Sequence, residues 1–215
     1  MTSYNRFIVR TAKKHKPQAD KVGDFGAGIG TLALILRERF GVEPICIETD
    51  GRNQDHLQQR KFTVYELLPD CGGEIDLIFS SNVLEHTEDD VSTLRCICDG
   101  LSDEVKMFLY LPAKMLLWSK LDEDLGQYRR YEYAEIKEKC AGVGLEVEVF
   151  HFSDSLGLFP CLMMKVVGYN MTGGIGSVAS LKIYDRWLFP RSMALDWLGL
   201  KHLFGKNLVV VAHRA

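Results

Sequence analysis

The stretch Asp24-Phe25-Gly26-Ala27-Gly28-Ile29-Gly30 constrains this chain more than any other. A short β-like run, Lys21-Val22-Gly23, leads into it, and an apolar helix-like run, Thr31-Leu32-Ala33-Leu34-Ile35-Leu36, leads out. Glycine at every second position lets the main chain turn sharply and leaves bare backbone for a ligand to lie against. The same turn aims the first N–H groups of the following helix at that ligand. The chain is therefore committed to a strand–turn–helix unit with a binding edge at the end of the strand.

The rest of the first two thirds repeats this alternation. Strands are predicted at Val22 to Phe25, Pro44 to Glu48, Phe62 to Tyr65, Ile75 to Ser80 and Val105 to Leu111. Helices are predicted at Gly30 to Phe40, Arg52 to Lys61 and Asp89 to Leu101. Such an order implies a parallel sheet with helices on both faces and ligand loops at one edge. A helix over Tyr133 to Ala141 ends at Gly142-Val143-Gly144. Leu145 to Phe152 then alternates as a strand, with Leu145, Val147 and Val149 on one side and Glu146, Glu148 and Phe150 on the other. Asn207 to His213 is the last strand.

The glycine spacing selects the ligand. A dinucleotide turn reads G-x-G-x-x-G/A, and here the third small position, counted from Gly26, is Thr31. The pattern present, acid-x-Gly-x-Gly-x-Gly, resembles motif I of the class I S-adenosylmethionine (SAM) methyltransferases. Glu48 ends the second strand about twenty residues beyond the glycines, where an acid accepts hydrogen bonds from both ribose hydroxyls. Asp50 is a near alternative, and a solvated loop acid is the plain one. The segment Glu74-Ile75-Asp76-Leu77-Ile78-Phe79-Ser80-Ser81-Asn82-Val83-Leu84-Glu85-His86 is similar to the segment after strand four in ubiquinone-type and related small-molecule methyltransferases. The resemblance covers roughly residues 20 to 150. It implies a Rossmann-like, doubly wound, mostly parallel seven-stranded sheet with an antiparallel last strand.

The resemblance also implies roles. Gly26 and Gly28 would lie against the methionine part of SAM, Asp24 would order the loop and receive the amino group, Glu48 would take the ribose, and Ala27, Gly30 and Thr49 are further cofactor-site residues. Glu66 is the nearest match to the residue that reads the adenine amine, against a plain surface acid. Ser81, Asn82 and Leu84 would line the pocket near the transferable methyl. An oxygen nucleophile needs a base, and His86, placed by the sequence at a helix start, is the candidate; a structural histidine is the alternative. Several relatives work by positioning alone.

After strand five, the run Trp118 to Tyr131 resembles the D-x-x-L-G-H-x-R-R-Y segment of bacterial methyltransferases associated with glycan and cell-surface polysaccharide synthesis. Gln127 replaces the histidine of that segment. Arg129 and Arg130 would clamp a phosphate or carboxylate, and Trp118, Tyr128 and Tyr131 would stack on a ring. The competing reading pairs both arginines with Asp122 to Asp124. Methylation at oxygen of a small-molecule, lipid-linked or nucleotide-linked acceptor, with a glycan favoured, is the resulting expectation. An NAD(P)-dependent oxidoreductase and a non-catalytic SAM-binding protein are the alternatives.

Composition limits the rest. The 215 residues suit one domain, residues 1–215, and a net charge of −3 argues against nucleic acid as a partner. The basic run from Arg10 to Lys21 reads as a solvated helix face or arm, or as a contact for anionic lipid or phosphorylated substrate. Six scattered cysteines without zinc-knuckle spacing predict reduced thiols, no metal and a cytoplasmic setting; no signal peptide is read at the start. The fifty or so residues from Ser153 to Lys206 are too long for a hairpin and read as a helical insertion. They are apolar and aromatic, yet Lys165 and Gly168 interrupt the best stretch. A lid, added core, a dimer face and peripheral contact with the inner membrane face all remain open for this insertion.

Overall fold

The computed structural model describes residues 1–68, 75–102, 104–169 and 176–215. Cys71, Glu74 and part of the insertion therefore lie outside the described residues. Seven strands form one sheet: β1 (Val22–Phe25), β2 (Ile45–Ile47), β3 (Thr63–Tyr65), β4 (Leu77–Ser81), β5 (Lys106–Pro112), β6 (Leu145–Ser153) and β7 (Asn207–Arg214). Their order is β3-β2-β1-β4-β5-β7-β6. The first five pair in parallel, and β7 runs antiparallel to both β5 and β6. This is the Rossmann-like arrangement implied by the sequence, with the strand order reversing beside β1.

Side-chain alternation along the strands makes two core layers. Leu77, Phe79, Phe108, Tyr110, Val209 and Val211 pack against α1 (Thr2–His15) and α2 (Thr31–Phe40) through Ile8, Val9, Ala12 and Leu36. Ile78, Met107, Leu109, Leu208 and Val210 pack against α4 (Asp90–Asp99) and α6 (Tyr133–Gly142) through Leu94, Ile97, Ile136 and Cys140. A smaller cluster seats α3 (Gly51–Gln59) through Leu57 against Ala33 and Cys46. Each large side chain so buried contributes roughly 1.5–3 kcal/mol.

Two features go beyond the sequence reading. The basic run from Arg10 falls partly on α1, in keeping with its helix-face reading, but the helix already starts at Thr2, and its first turn is capped from far away: the Asp185 carboxylate accepts from Thr2, Ser3 and Tyr4 N–H at 2.7, 3.0 and 2.9 Å. The simple alternation in β6 fails. A bulge between Val147 and Val149 skips Glu148, so Phe150 and Phe152 join the same core layer as Val147 while Val149 faces the other.

Between β6 and β7 the chain is helical: α7 (Leu158–Val167), α8 (Val178–Ile183), a π turn at Tyr184–Leu188 and α9 (Phe189–Trp197). Ser153 and Pro112 both pair with Asn207, so this insertion leaves and rejoins the sheet at the edge where the parallel strands end. Among the described residues no helix is long and apolar enough to cross a membrane.

Candidate active site

The turn after β1 sits at the reversal point of the sheet. Gly26 and Ala27 N–H both donate to Ile47 O, at 2.8 and 3.2 Å, which ties the turn to the end of β2. Gly26 has φ +75°, and a Cβ there would collide with Val83. Gly28 has φ +54°, but a Cβ there would meet nothing within 4 Å. The first glycine is thus required by packing and by backbone, whereas the second borders open space.

Glu48, just past β2, is buried, and its carboxylate accepts from Gly28 N–H at 2.7 Å and from Asp50 N–H at 2.9 Å. The acid therefore fastens the glycine turn to the start of α3. A carboxylate has about four acceptor positions, so two bonds leave capacity for a ligand's hydroxyls. Asp50, the alternative ribose acid, is committed to capping α3, accepting from Arg52 and Asn53 N–H.

Asp24 lies at the end of β1 and is 2 % exposed. Its Oδ2 has no hydrogen-bond partner among the described residues. Burial, then repulsion from Glu48, pushes its carboxyl up to about 8, against one backbone N–H from Ala33. An unpartnered buried acid beside a second acid is a place for a cation.

A cavity of about 910 Å³ opens at this edge. Of the expected ligand residues, Gly26, Glu48, Thr49, Glu66, Asn82 and His86 border it. Asp24, Ala27, Gly28, Gly30, Ser81 and Leu84 do not. Leu84 is corrected outright: it is fully buried in the core against α4 and α6, and Val83 takes the place expected of it. Ser81 accepts from the Asn82 side-chain amide at 3.1 Å, and Asn82 holds φ +55°, which turns the chain out of β4. Sequence reading missed Val83, Thr87 and, on α4, Ser92, Thr93 and Cys96. The only available signal for the last three was their helical spacing.

His86 closes a three-residue 3-10 turn, Leu84–His86, and α4 starts four residues later. The helix-start placement is therefore corrected. The ring is exposed at the cavity border.

The segment after β5 is also placed otherwise than expected. Arg130 is buried and its guanidinium meets Asp122 Oδ1 at 3.0 and 2.6 Å, while Asp122 Oδ2 caps the short helix α5 (Lys120–Asp124) through Ser119. Arg129 pairs with Asp90 at 2.9 Å, and Lys139 and the Tyr131 hydroxyl reach the same carboxylate at 2.6 and 2.8 Å. Burial disfavours the Asp90 carboxylate, but Lys139, Tyr131 and Arg129 together hold it below the usual range. Tyr131 is fully buried. Arg130 and Tyr131 are buried and Arg129, though partly exposed, is paired; the three brace α4 against α6 and the β5 loop. Arg130 does pair within Asp122 to Asp124, but Arg129 does not. Tyr128 remains 53 % exposed, and Trp118 is half-buried with its indole N–H 3.4 Å from Glu123.

Residues 2–146 match the family described as "Methyltransferase domain". The chain belongs to that family. No curated protein matches it by sequence. Its fold is that of solved SAM-dependent methyltransferases. The TehB-like SAM-dependent methyltransferase from Corynebacterium glutamicum has TM-score 0.57 and 16% identity, over 98% of this chain and 88% of that one. The magnesium protoporphyrin IX methyltransferase from Synechocystis, solved with bound S-adenosylhomocysteine (SAH), has TM-score 0.59 and 13% identity, over 100% and 84%. The O-methyltransferase of a trans-AT polyketide synthase from Brevibacillus brevis, also in complex with SAH, has TM-score 0.59 and 15% identity, over 98% and 72%. Membership of the methyltransferase family displaces the NAD(P)-dependent alternative. The residues present fit SAM: Asp24 Oδ2 lacks a partner, Gly28 faces open space, and Glu48 retains acceptor capacity.

Proposed function

We propose that this methyltransferase uses SAM to methylate an oxygen of an organic acceptor, small or lipid-linked. When bound, SAM supplies a methyl made electrophilic by its sulfonium. The chain's own part is placement. Asp24 would hold the ammonium of the methionine portion, the Gly26-to-Gly30 turn would carry its backbone side, and Glu48 would grip the ribose. Thr49, Glu66 and Leu67 border the same cavity and would enclose the nucleoside. The observation that carries this reading is the buried, unpartnered Asp24 oxygen beside Glu48 under a glycine turn.

Asn82 and His86 border the cavity on the β4 side, and His86 would take the acceptor's hydroxyl proton. Positioning alone can supply much of the acceleration when nucleophile and methyl are held in line. The glycan-directed clamp loses support, because Arg129, Arg130 and Tyr131 are engaged within the protein.

The test is a titration followed by turnover. SAH should bind the full chain at one site, and SAM with a panel of hydroxyl-bearing acceptors should release SAH above the acceptor-free rate. Failure to bind SAH would sink the cofactor reading. Binding without acceptor-dependent release by any acceptor would favour the non-catalytic SAM-binding alternative.

A further inference from the structure

A second cavity, of about 630 Å³, lies within the helical insertion. Its walls come from Cys161, Met163 and Met164 on α7, Leu181 on α8, and Trp187 and Leu188 on the π turn. The space opens to the surface, since Met163, Leu181 and Trp187 on its walls are exposed. Its volume is that of a small-molecule site, and a cavity walled by such side chains favours apolar contents over water. Two adjacent methionines give it walls that adapt to a flexible guest.

The charge around it is one-sided. The insertion has three acids, Asp154, Asp185 and Asp196, and all are buried. Asp185 caps α1, Asp196 accepts from Asp154 N–H at 2.7 Å, and Asp154 pairs with Lys206 at 3.3 Å and with the Tyr184 hydroxyl. Lys165, Lys182, Arg186 and Arg191 are exposed. The described surface of the insertion thus presents cations and apolar side chains, Val166, Ile183 and Trp187 among them, with no carboxylate. That surface repels a basic guest and attracts an anionic one.

Placement links this cavity to the methyl site. Both lie at the same sheet edge, and a short run of contacts through Tyr110 and Tyr4 lies between them. Asn82, which borders the nucleoside cavity, donates its backbone N–H to Tyr110 O at 2.9 Å, the Tyr4 and Tyr110 rings pack 5.6 Å apart, and Lys206, which borders the insertion cavity, sits 5.4 Å from the Tyr4 ring centroid.

We infer that the insertion cavity holds the hydrocarbon chain of the methyl acceptor, and that the acceptor is an anionic, single-chain amphiphile. This rests on the methyltransferase reading above and names its substrate class. The chain lies among Met163, Met164, Leu181 and Trp187, the anionic group meets Arg191, the exposed cation that borders the cavity, and the reacting hydroxyl reaches past Tyr4 toward Asn82 and His86.

The experiment titrates dodecyl phosphate, below its micelle concentration, into the full chain by calorimetry. Inorganic phosphate and anionic phosphatidylglycerol vesicles are run as separate arms, and SAH is titrated into every variant. Dodecyl phosphate should bind at one site per chain, and inorganic phosphate should not. Met164→Trp and, independently, Leu181→Trp should fill the space and weaken dodecyl phosphate by about tenfold or more, with SAH affinity at the wild-type level. Absent binding of dodecyl phosphate to the wild-type chain overturns the inference. So does equal binding in both filled variants, binding to vesicles alone, or a dimer in sedimentation that excludes the probe. Loss of SAH binding in the wild-type chain would instead strike the methyltransferase reading, so the two failures are told apart.

Discussion

Replacing Asp24 by Asn tests the donor site through a proton count. In the free protein the Asp24 carboxyl is desolvated, faces Glu48 and stands at about 8, so it carries its proton at neutral pH. An ammonium arriving at the unpartnered Oδ2 reverses that balance, because an opposite charge favours the ionised acid. Binding must therefore release a proton below the free-protein value. The linkage sign is definite: affinity rises with pH, by about tenfold per unit between about pH 6 and about pH 7.5. It then levels off near pH 8, where the free-protein carboxyl is already ionising, and falls at higher pH as the ligand's own ammonium deprotonates. Calorimetric titration of SAH in two buffers of different ionisation enthalpy at about pH 6.5 should report about one proton released. Asp24→Asn removes the ionisable group. Its slope should vanish below about pH 7.5, and its affinity near pH 8 should drop by the worth of one hydrogen bond to a charged group, about 1.5–3 kcal/mol. A flat wild-type profile, or a slope that survives Asp24→Asn, would refute the placement of the ammonium at this oxygen.

Other substitutions probe neighbouring claims. Gly28→Val should stay folded, since its Cβ meets open space and the positive φ costs only roughly 1–2 kcal/mol; SAH binding should be lost, and an unchanged Kd would show that the space serves something else. Glu48→Ala removes the partner of two N–H groups and should weaken SAH by roughly 2–3 kcal/mol. It also removes repulsion on Asp24, so the pH at which affinity levels off should move down; an effect confined to acceptor KM would contradict the ribose role. His86→Ala should cut kcat about 100-fold with SAH affinity retained, and near-normal turnover would leave His86 without a part in proton removal. Glu85 is fully buried with neither carboxylate oxygen partnered among the described residues, and burial pushes it up to about 8. The native state then keeps a proton that the unfolded chain gives up above its ordinary value of 4.5, so this group costs stability increasingly from there to about 8, by about 1.4 kcal/mol per pH unit. Thermal melts of Glu85→Gln should show a shallower pH dependence and a higher Tm than wild type near pH 8; a lower Tm there would mean the carboxylate is satisfied.

What could be read from the chain and what could not divides by sequence distance. The glycine turn, Glu48 and the β4 exit are local: backbone freedom, an acid at a strand end and a strand–turn–helix pattern are each carried by fewer than about ten residues. Their partners follow from parallel pairing, which puts Gly26 beside Ile47 whatever the rest of the protein does. The first helix was illegible because its cap comes from Asp185, at a separation of 183 residues. The Arg129-Arg130 pair was open to two readings, and only the partner of Arg129 was out of local reach. Two adjacent arginines and a tyrosine look like a clamp in search of an anion, but whether they need one depends on which acids the fold delivers. It delivers Asp122, from 8 residues away, and Asp90, which takes Tyr131 across 41 residues and Lys139 across 49. Once those acids arrive, the cluster's charge is spent on joining α4, α6 and the β5 loop. The insertion shows the converse. Its acids, which in sequence would mask the charge of Lys182, Arg186 and Arg191, are withdrawn into caps and a buried pair, leaving the cations uncompensated at the surface. Charge left unpaired after folding is what can meet a ligand, and among the described residues the insertion keeps more of it than the arginine-tyrosine motif, which is why the acceptor proposal rests on the insertion.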